Sequence, residues 1–212
     1  MRLAYRIAGH WALLASFALT GACSILPKAP PADVYRLPSA QAGAAAQAQA
    51  QPWSLRLAKP QASDALNSTK IAVIPQGDVL SSYKASRWSD PAPVLLRNRL
   101  LDAFTRDGRV PLLSIDDSNL QADFELGGVL QAFQTEYQGT AASVVIRLDA
   151  LLVGGKDQRI LASRRFEVRQ PLSDVQVPAV VAGFGQASDK LTAQVVAWAV
   201  AQGQKQPKPG NN

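Results

Sequence analysis

One cysteine, Cys23, closes the stretch Leu19-Thr20-Gly21-Ala22-Cys23, and its thiol is the first chemistry the sequence offers. Upstream lie two arginines, Arg2 and Arg6, then an apolar run from Trp11 to Leu19, then small residues. That order is the three-part layout of an export signal, here residues 1–22. A lone cysteine in an exported chain has no intramolecular partner, so it is reactive, paired between chains or modified. Cleavage before Cys23 would expose it for modification. Two other readings stay open: an ordinary cut near Ala22 that leaves a free thiol, and an uncleaved anchor. For the anchor, the run from Ile7 to Ile25 contains His10 and several small polar residues, a weak span beside the roughly 20 strongly apolar residues a bilayer core needs.

Removing residues 1–22 removes His10, the only histidine, and modification would consume the only cysteine. Without either side chain, a Ser-His or Cys-His nucleophile pair, a histidine general base and the usual Cys/His zinc sites are excluded. Carboxylate chemistry stays open, but the chain has neither a phosphate-cradling Gly-rich loop nor an HExxH-type motif. Of the 22 basic residues, Arg2 and Arg6 leave with the signal, so 20 face 16 acidic ones, a charge of +4. A surplus spread this thinly, without a basic cluster interleaved with aromatics, points away from nucleic acid.

The cysteine and its small-residue box resemble a bacterial lipoprotein lipobox. The resemblance implies that Cys23 is diacylated on sulfur, becomes the first residue after cleavage and is then N-acylated, so that two or three acyl chains hold the protein stably. Ser24, rather than Asp, follows the cysteine, which in lipoprotein sorting implies the outer membrane. Residues 23–32 then form a Pro-rich lipidated tether.

The elements that follow are read from periodicity. Asp33 to Pro38 and Trp53 to Leu57 alternate as short strands, separated by an Ala/Gln-rich loop over 39–52. Ile71 to Pro75 reads as a strand covered on both faces, and Val110 to Ile115 as a buried one. Between them Asp90 predicts an N-cap with Pro91 at N1, opening a helix that Gly108 ends. Its apolar face is Ala92, Leu96, Leu100, Ala103 and Phe104. Asn98, Arg99, Asp102, Thr105 and Arg106 lie opposite. Phe124 to Tyr137, Ser143 to Val153 and Ile160 to Arg169 predict an antiparallel meander, with a bulge at Ala132/Phe133, where the apolar phase switches. A last helix over about 178–202 carries Val177, Phe184, Leu191 and Trp198 as a stripe every seven residues, after Ser173 or Asp174 and before Gly203. Residues 33–203 thus predict a single α+β two-layer sandwich, two amphipathic helices on a mixed, mostly antiparallel sheet of about seven strands. The tail 204–212 is expected to be disordered.

The stretch holding Tyr83, Arg87, Trp88, Asp90 and Pro91, leading into Leu95, Leu96, Leu100 and Phe104, is similar to the ABC-type transport auxiliary lipoproteins, the family that includes the PqiC lipoproteins. Tyr35 and Leu37 in an early strand, an Asp-Phe-x-Leu strand start at Asp123 to Leu126 and the closing helix agree with it; the long Ala/Gln insertion departs from it. The resemblance implies a periplasm-facing lipoprotein serving an MCE-type ABC system that moves lipids or other hydrophobic substrates between the two membranes. It would act as the docking part, as a ring of copies, beside separate MCE-domain, permease and ATPase proteins. It implies no catalytic residue and no cofactor beyond the covalent lipid on Cys23. The alternative is an envelope lipoprotein that itself binds an amphiphile during outer-membrane assembly. A cell-wall enzyme would need two carboxylates converging in a cleft, and the sequence offers no such pair. Arg87, Trp88 and Asp90 are candidates for a partner contact, Trp and Arg being enriched at interface hot spots. In a packing role, Trp88 lies under the helix start, Arg87 pairs locally and Asp90 caps the helix, so that Asp90→Ala loses about 1 kcal/mol.

Overall fold

The fold is built on a meander of three long strands whose inward residues alternate, with one change of phase in the first of them. In the computed structural model, which describes residues 31–39, 49–118 and 120–206, these are β7 (Phe124–Gln138), β8 (Ala141–Gly154) and β9 (Ile160–Leu172). Along β8, Val144, Ile146, Leu148, Ala150 and Leu152 are all buried, the period-2 face the sequence predicts. Gly139 at φ 62° makes the tight turn between β7 and β8, a conformation open to glycine at little cost.

Six shorter strands precede the meander: β1 (Asp33–Tyr35), β2 (Ser54–Leu57), β3 (Gln61–Ala62), β4 (Lys70–Ile74), β5 (Ser81–Trp88) and β6 (Leu112–Ile115). Strand β7 is long enough to serve three of them in succession on one edge. Its Phe124 end pairs with β2, its middle with β3 and its far end with β4, all parallel, while its other edge takes β8 antiparallel. The register with β8 shifts between Leu130 and Ala132. This bulge falls within two residues of the predicted phase switch and divides the sheet into a β2–β6 half and a β4–β5–β1 half. The sheet is mixed, with nine strands where about seven were expected, and its long antiparallel ladders are those of the meander.

Helix α1 (Ala92–Asp107) follows β5, and α2 (Val177–Gly203) follows β9. Both lie on the face carrying Val144 and Ile146. Their packing forms one core in which Trp88, Phe104, Phe133, Phe166 and Phe184 are fully buried. Gly108 ends α1 in the left-handed conformation, its N–H donating to the Phe104 carbonyl. The stripe of Val181, Phe184, Leu191, Val195 and Trp198 is buried in that core, so it is packing surface rather than an open groove.

Six local expectations are corrected. The N-cap of α1 is Pro91, and no side chain caps it; the free N–H groups of Val94 and Leu95 reach the Pro91 carbonyl instead. Arg99, expected on the outer face, is 3% exposed. The segment 110–115 is not a buried strand: β6 is a sheet edge, and Leu112 on it is 61% exposed. The stretch from Tyr83 does not simply lead into a helix but belongs to β5, with Ala85 at φ 51°. Strand β1 also stops at Tyr35, and Gly203 is the last residue of α2 rather than the one after it. Cys23, the signal, residues 24–30 of the tether, 40–48 of the Ala/Gln loop and 207–212 of the tail lie outside the described residues.

Candidate functional site

The candidate contact residues sit at the junction of β5 and α1, and alternation along β5 sends them to different places. Trp88 points toward the helices and is fully buried. Its ring meets Phe184 of α2 edge-on at 5.2 Å and Phe133 of β7 at 6.0 Å, while Phe133 and Phe184 stack at 4.8 Å. Such an aromatic cluster joins strand, strand and helix at one point, and each pair adds about 0.5–1.5 kcal/mol beyond its buried area. The Trp88 backbone N–H donates to the Thr69 carbonyl at 2.7 Å. Trp88 therefore fills the packing role.

Arg87, one residue earlier, points the other way and is exposed. It stands in register between Val34 of β1 and Lys70 of β4, and no ion pair holds it among the described residues. Asp90 is exposed too, accepting a hydrogen bond from Ser89 Oγ at 2.9 Å. The three candidates do not converge on one surface: only Arg87 and Asp90 are open to a partner.

The sequence reading missed Arg99. From α1 it sends Nη2 to the Pro38 carbonyl, and its Nη1 lies 3.2 Å from Asp189 of α2. Burial pulls the guanidinium below its ordinary value, against the attraction of Asp189. Beside it, a Cβ added to Gly185 would come within 3.2 Å of Pro38. The segment after β1 is thus clasped to both helices. Arg97, also buried, pairs with Asp116 at 2.6 Å and Asp117 at 2.9 Å. Burial opposes the ionisation of Asp116, yet the Lys59 N–H and Arg97 hold its carboxyl below the usual range.

On the sheet face away from the helices, β8 and β9 carry a charge mesh. Arg147 meets Glu167 at 2.7 Å, Arg169 meets Glu136 at 2.8 Å and Glu167 at 3.0 Å, and Arg165 meets Asp149 at 2.6 Å. Val145, on this face opposite Arg169, is nonetheless fully buried, because long charged side chains cover apolar surface with their stems.

A cleft of about 500 Å³ is lined by Asp64, Ser68, Lys70, Leu80, Ser81 and Ser82, and one of about 230 Å³ by Arg56, Gln121, Phe124, Glu125, Gly155 and Gln158. Each is lined by one carboxylate, and Glu125 is engaged by Arg56; neither presents the acid pair a glycosidase needs. Among the described residues, no group of three or more His, Cys, Asp or Glu could hold a metal ion, and no helix is long and apolar enough to cross a membrane.

Comparison with known proteins adds the family. The crystal structure of protein XCC0632 from Xanthomonas campestris superposes with a TM-score of 0.76 at 30% identity, covering 82% of this chain and 98% of that one. A second crystal structure, of an uncharacterised protein, has a TM-score of 0.61 at 16% identity, covering 79% and 98%, and shows the fold alone. An uncharacterised protein of Bradyrhizobium diazoefficiens, bll6063, is 30% identical over 149 residues; the match takes in 69% of this chain and 39% of the relative's length. The model of the ABC-type transport auxiliary lipoprotein component matches residues 35–196, from the last residue of β1 into α2, and the chain belongs to that family of envelope-associated transport lipoproteins.

Proposed function

We propose that this protein is the lipid-anchored, periplasm-facing attachment subunit of an MCE-type ABC system that moves lipids or other hydrophobic substrates between the inner and outer membranes. Cys23 carries the acyl chains, the outer membrane holds them, and an MCE-domain protein with its permease and ATPase are the partners, met by a ring of copies of this chain. The observation that carries the reading is the extent of the family match, residues 35–196. It takes in strands β2 to β9, the end of β1, all of α1 and most of α2 rather than one motif. A non-catalytic role accords with the two clefts described among these residues, each lined by a single carboxylate, and with the burial of the α2 apolar stripe in the core. That burial favours attachment over the alternative in which the domain itself carries an amphiphile.

The test is to express the gene with its own leader and extract the product from membranes. Intact mass should show diacylglyceryl and N-acyl additions at Cys23, and affinity purification should bring down an MCE-domain protein. Asp90→Ala should weaken that capture without lowering the melting temperature, since Asp90 is exposed and meets only Ser89. An unmodified sulfur, or co-purified phospholipid in place of the MCE protein, overturns the reading.

A further inference from the structure

Three strands present one row of side chains away from the helices. Tyr35, Trp88 and Ile71 pack toward the core, so alternation turns their neighbours Val34, Arg87 and Lys70 to the opposite face. These three are direct cross-strand partners. Lys84 follows Tyr83, which packs on the core, so beyond the irregularity at Ala85 it too turns outward, is exposed and adds a third cation. The contrast with the rest of the face is informative. On β8 and β9, Arg147, Arg165 and Arg169 are each neutralised by a carboxylate within 3.0 Å. Lys70, Lys84 and Arg87 form no ion pair among the described residues. Asp33 alternates to the helix side of β1, and Asp64 shares the cleft with Lys70 without pairing to it. Half of the sheet face is balanced from within, and the other half holds its positive charge open.

The place where the chain enters decides the occupant. Asp33 opens β1 in register with Ser86, next to Arg87. From Cys23 to Asp33 is ten residues of sequence, at most about 35 Å of extended chain. An acyl anchor at Cys23 therefore keeps this edge of the sheet close to the bilayer, where encounter with headgroups is intramolecular and needs little intrinsic affinity. Val34, 50% exposed at one end of the row, offers an apolar contact at the same level. We propose that Lys70, Lys84 and Arg87 form a membrane-facing surface for the anionic phospholipid headgroups of the leaflet holding the lipid anchor, fixing which way the domain stands on it. This rests on the acylation of Cys23 proposed above.

The test uses the chain from residue 24 onward, which lacks the acylated residue and keeps the whole compact unit starting at Ala32. It should float with vesicles containing about 30% phosphatidylglycerol and not with pure phosphatidylcholine, and should release as salt rises to about 0.5 M. K70E/K84E/R87E should lower the partition at least about tenfold, whereas K156E/R159E/K205E, with the same charge change elsewhere, should lower it less than about twofold. If the glutamate variant loses its far-UV circular dichroism, K70Q/K84Q/R87Q makes the same comparison. Equal losses in both variants, no preference for the anionic vesicles, or a row that governs capture of an acidic protein but not of vesicles overturns the surface. The anchor is read separately, from the mass at Cys23: an acylated protein whose row ignores lipid keeps the anchor and loses this inference, and an unacylated one whose row binds vesicles does the reverse.

Discussion

Arg99 and Asp90 show how a residue's type misleads about its place. A charged side chain on a helix reads as solvated, and nothing near Arg99 in sequence reveals that Asp189 and Pro38 enclose it. Its partners lie about as far along the chain as the fold allows, so periodicity could not find them. Arg99→Ala should cost about 2–4 kcal/mol, because it strands the Pro38 carbonyl and the Asp189 carboxylate, and urea unfolding at neutral pH reads this directly. Asp90→Ala should instead stay within about 0.5 kcal/mol of wild type, since Pro91 occupies the cap position and Asp90 meets only Ser89. A loss near 1 kcal/mol in the same assay would restore the capping role. Trp88 was legible as packing from its place before the helix, but the depth of its burial between Phe133 and Phe184 was not.

Among the elements, those with strong periodicity were readable and those defined by their neighbours were not. Strand β8, both helices and the β7 bulge follow from spacing alone. Strand β5 was hidden because its register with β4 slips: Lys70 faces Arg87 while Ala72 faces Ser82, and the extra residues, with Ala85 at positive φ, break the alternation. Two-residue β3 exists only because β7 runs past it. The meander itself depends on close approach at Gly128, whose φ is 135° and whose added Cβ would lie 1.9 Å from the Asp149 carbonyl. Gly128→Ala should therefore cost at least about 2 kcal/mol. Hydrogen exchange should show its largest gain in rate along the β7–β8 ladder, whereas an unchanged exchange pattern would mean the strands can separate there freely.

For the whole molecule, pH sensitivity follows from which groups the fold has shifted. The described residues include no histidine, so no imidazole of the folded unit titrates between pH 5 and 8. Hydrogen bonds from Arg165 and Arg147 hold Asp149 and Glu167 below their ordinary values, and Asp116 is held low despite its burial. Carboxylates depressed in the folded state contribute stability that is present above their unfolded values, 3.8 for Asp and 4.5 for Glu, and is lost as pH falls through the folded ones. The melting temperature should be nearly flat from pH 6 to 8 and fall progressively below about pH 4.5. A calorimetric series checks this, and a marked drop already at pH 6 would contradict it. Acylation and partners were implied in the sequence only by resemblance, because neither hydrophobic periodicity nor turn chemistry encodes them.

The clasp on Pro38 also has a mechanical side. A pull entering at Asp33 meets β1, whose Tyr35 carbonyl accepts the Ser89 N–H at 2.8 Å, and then Pro38, held by Arg99 and seated against Gly185. With the acyl anchor proposed at Cys23, tension on the tether would fall first on a short strand and one buried guanidinium, ahead of the aromatic interior.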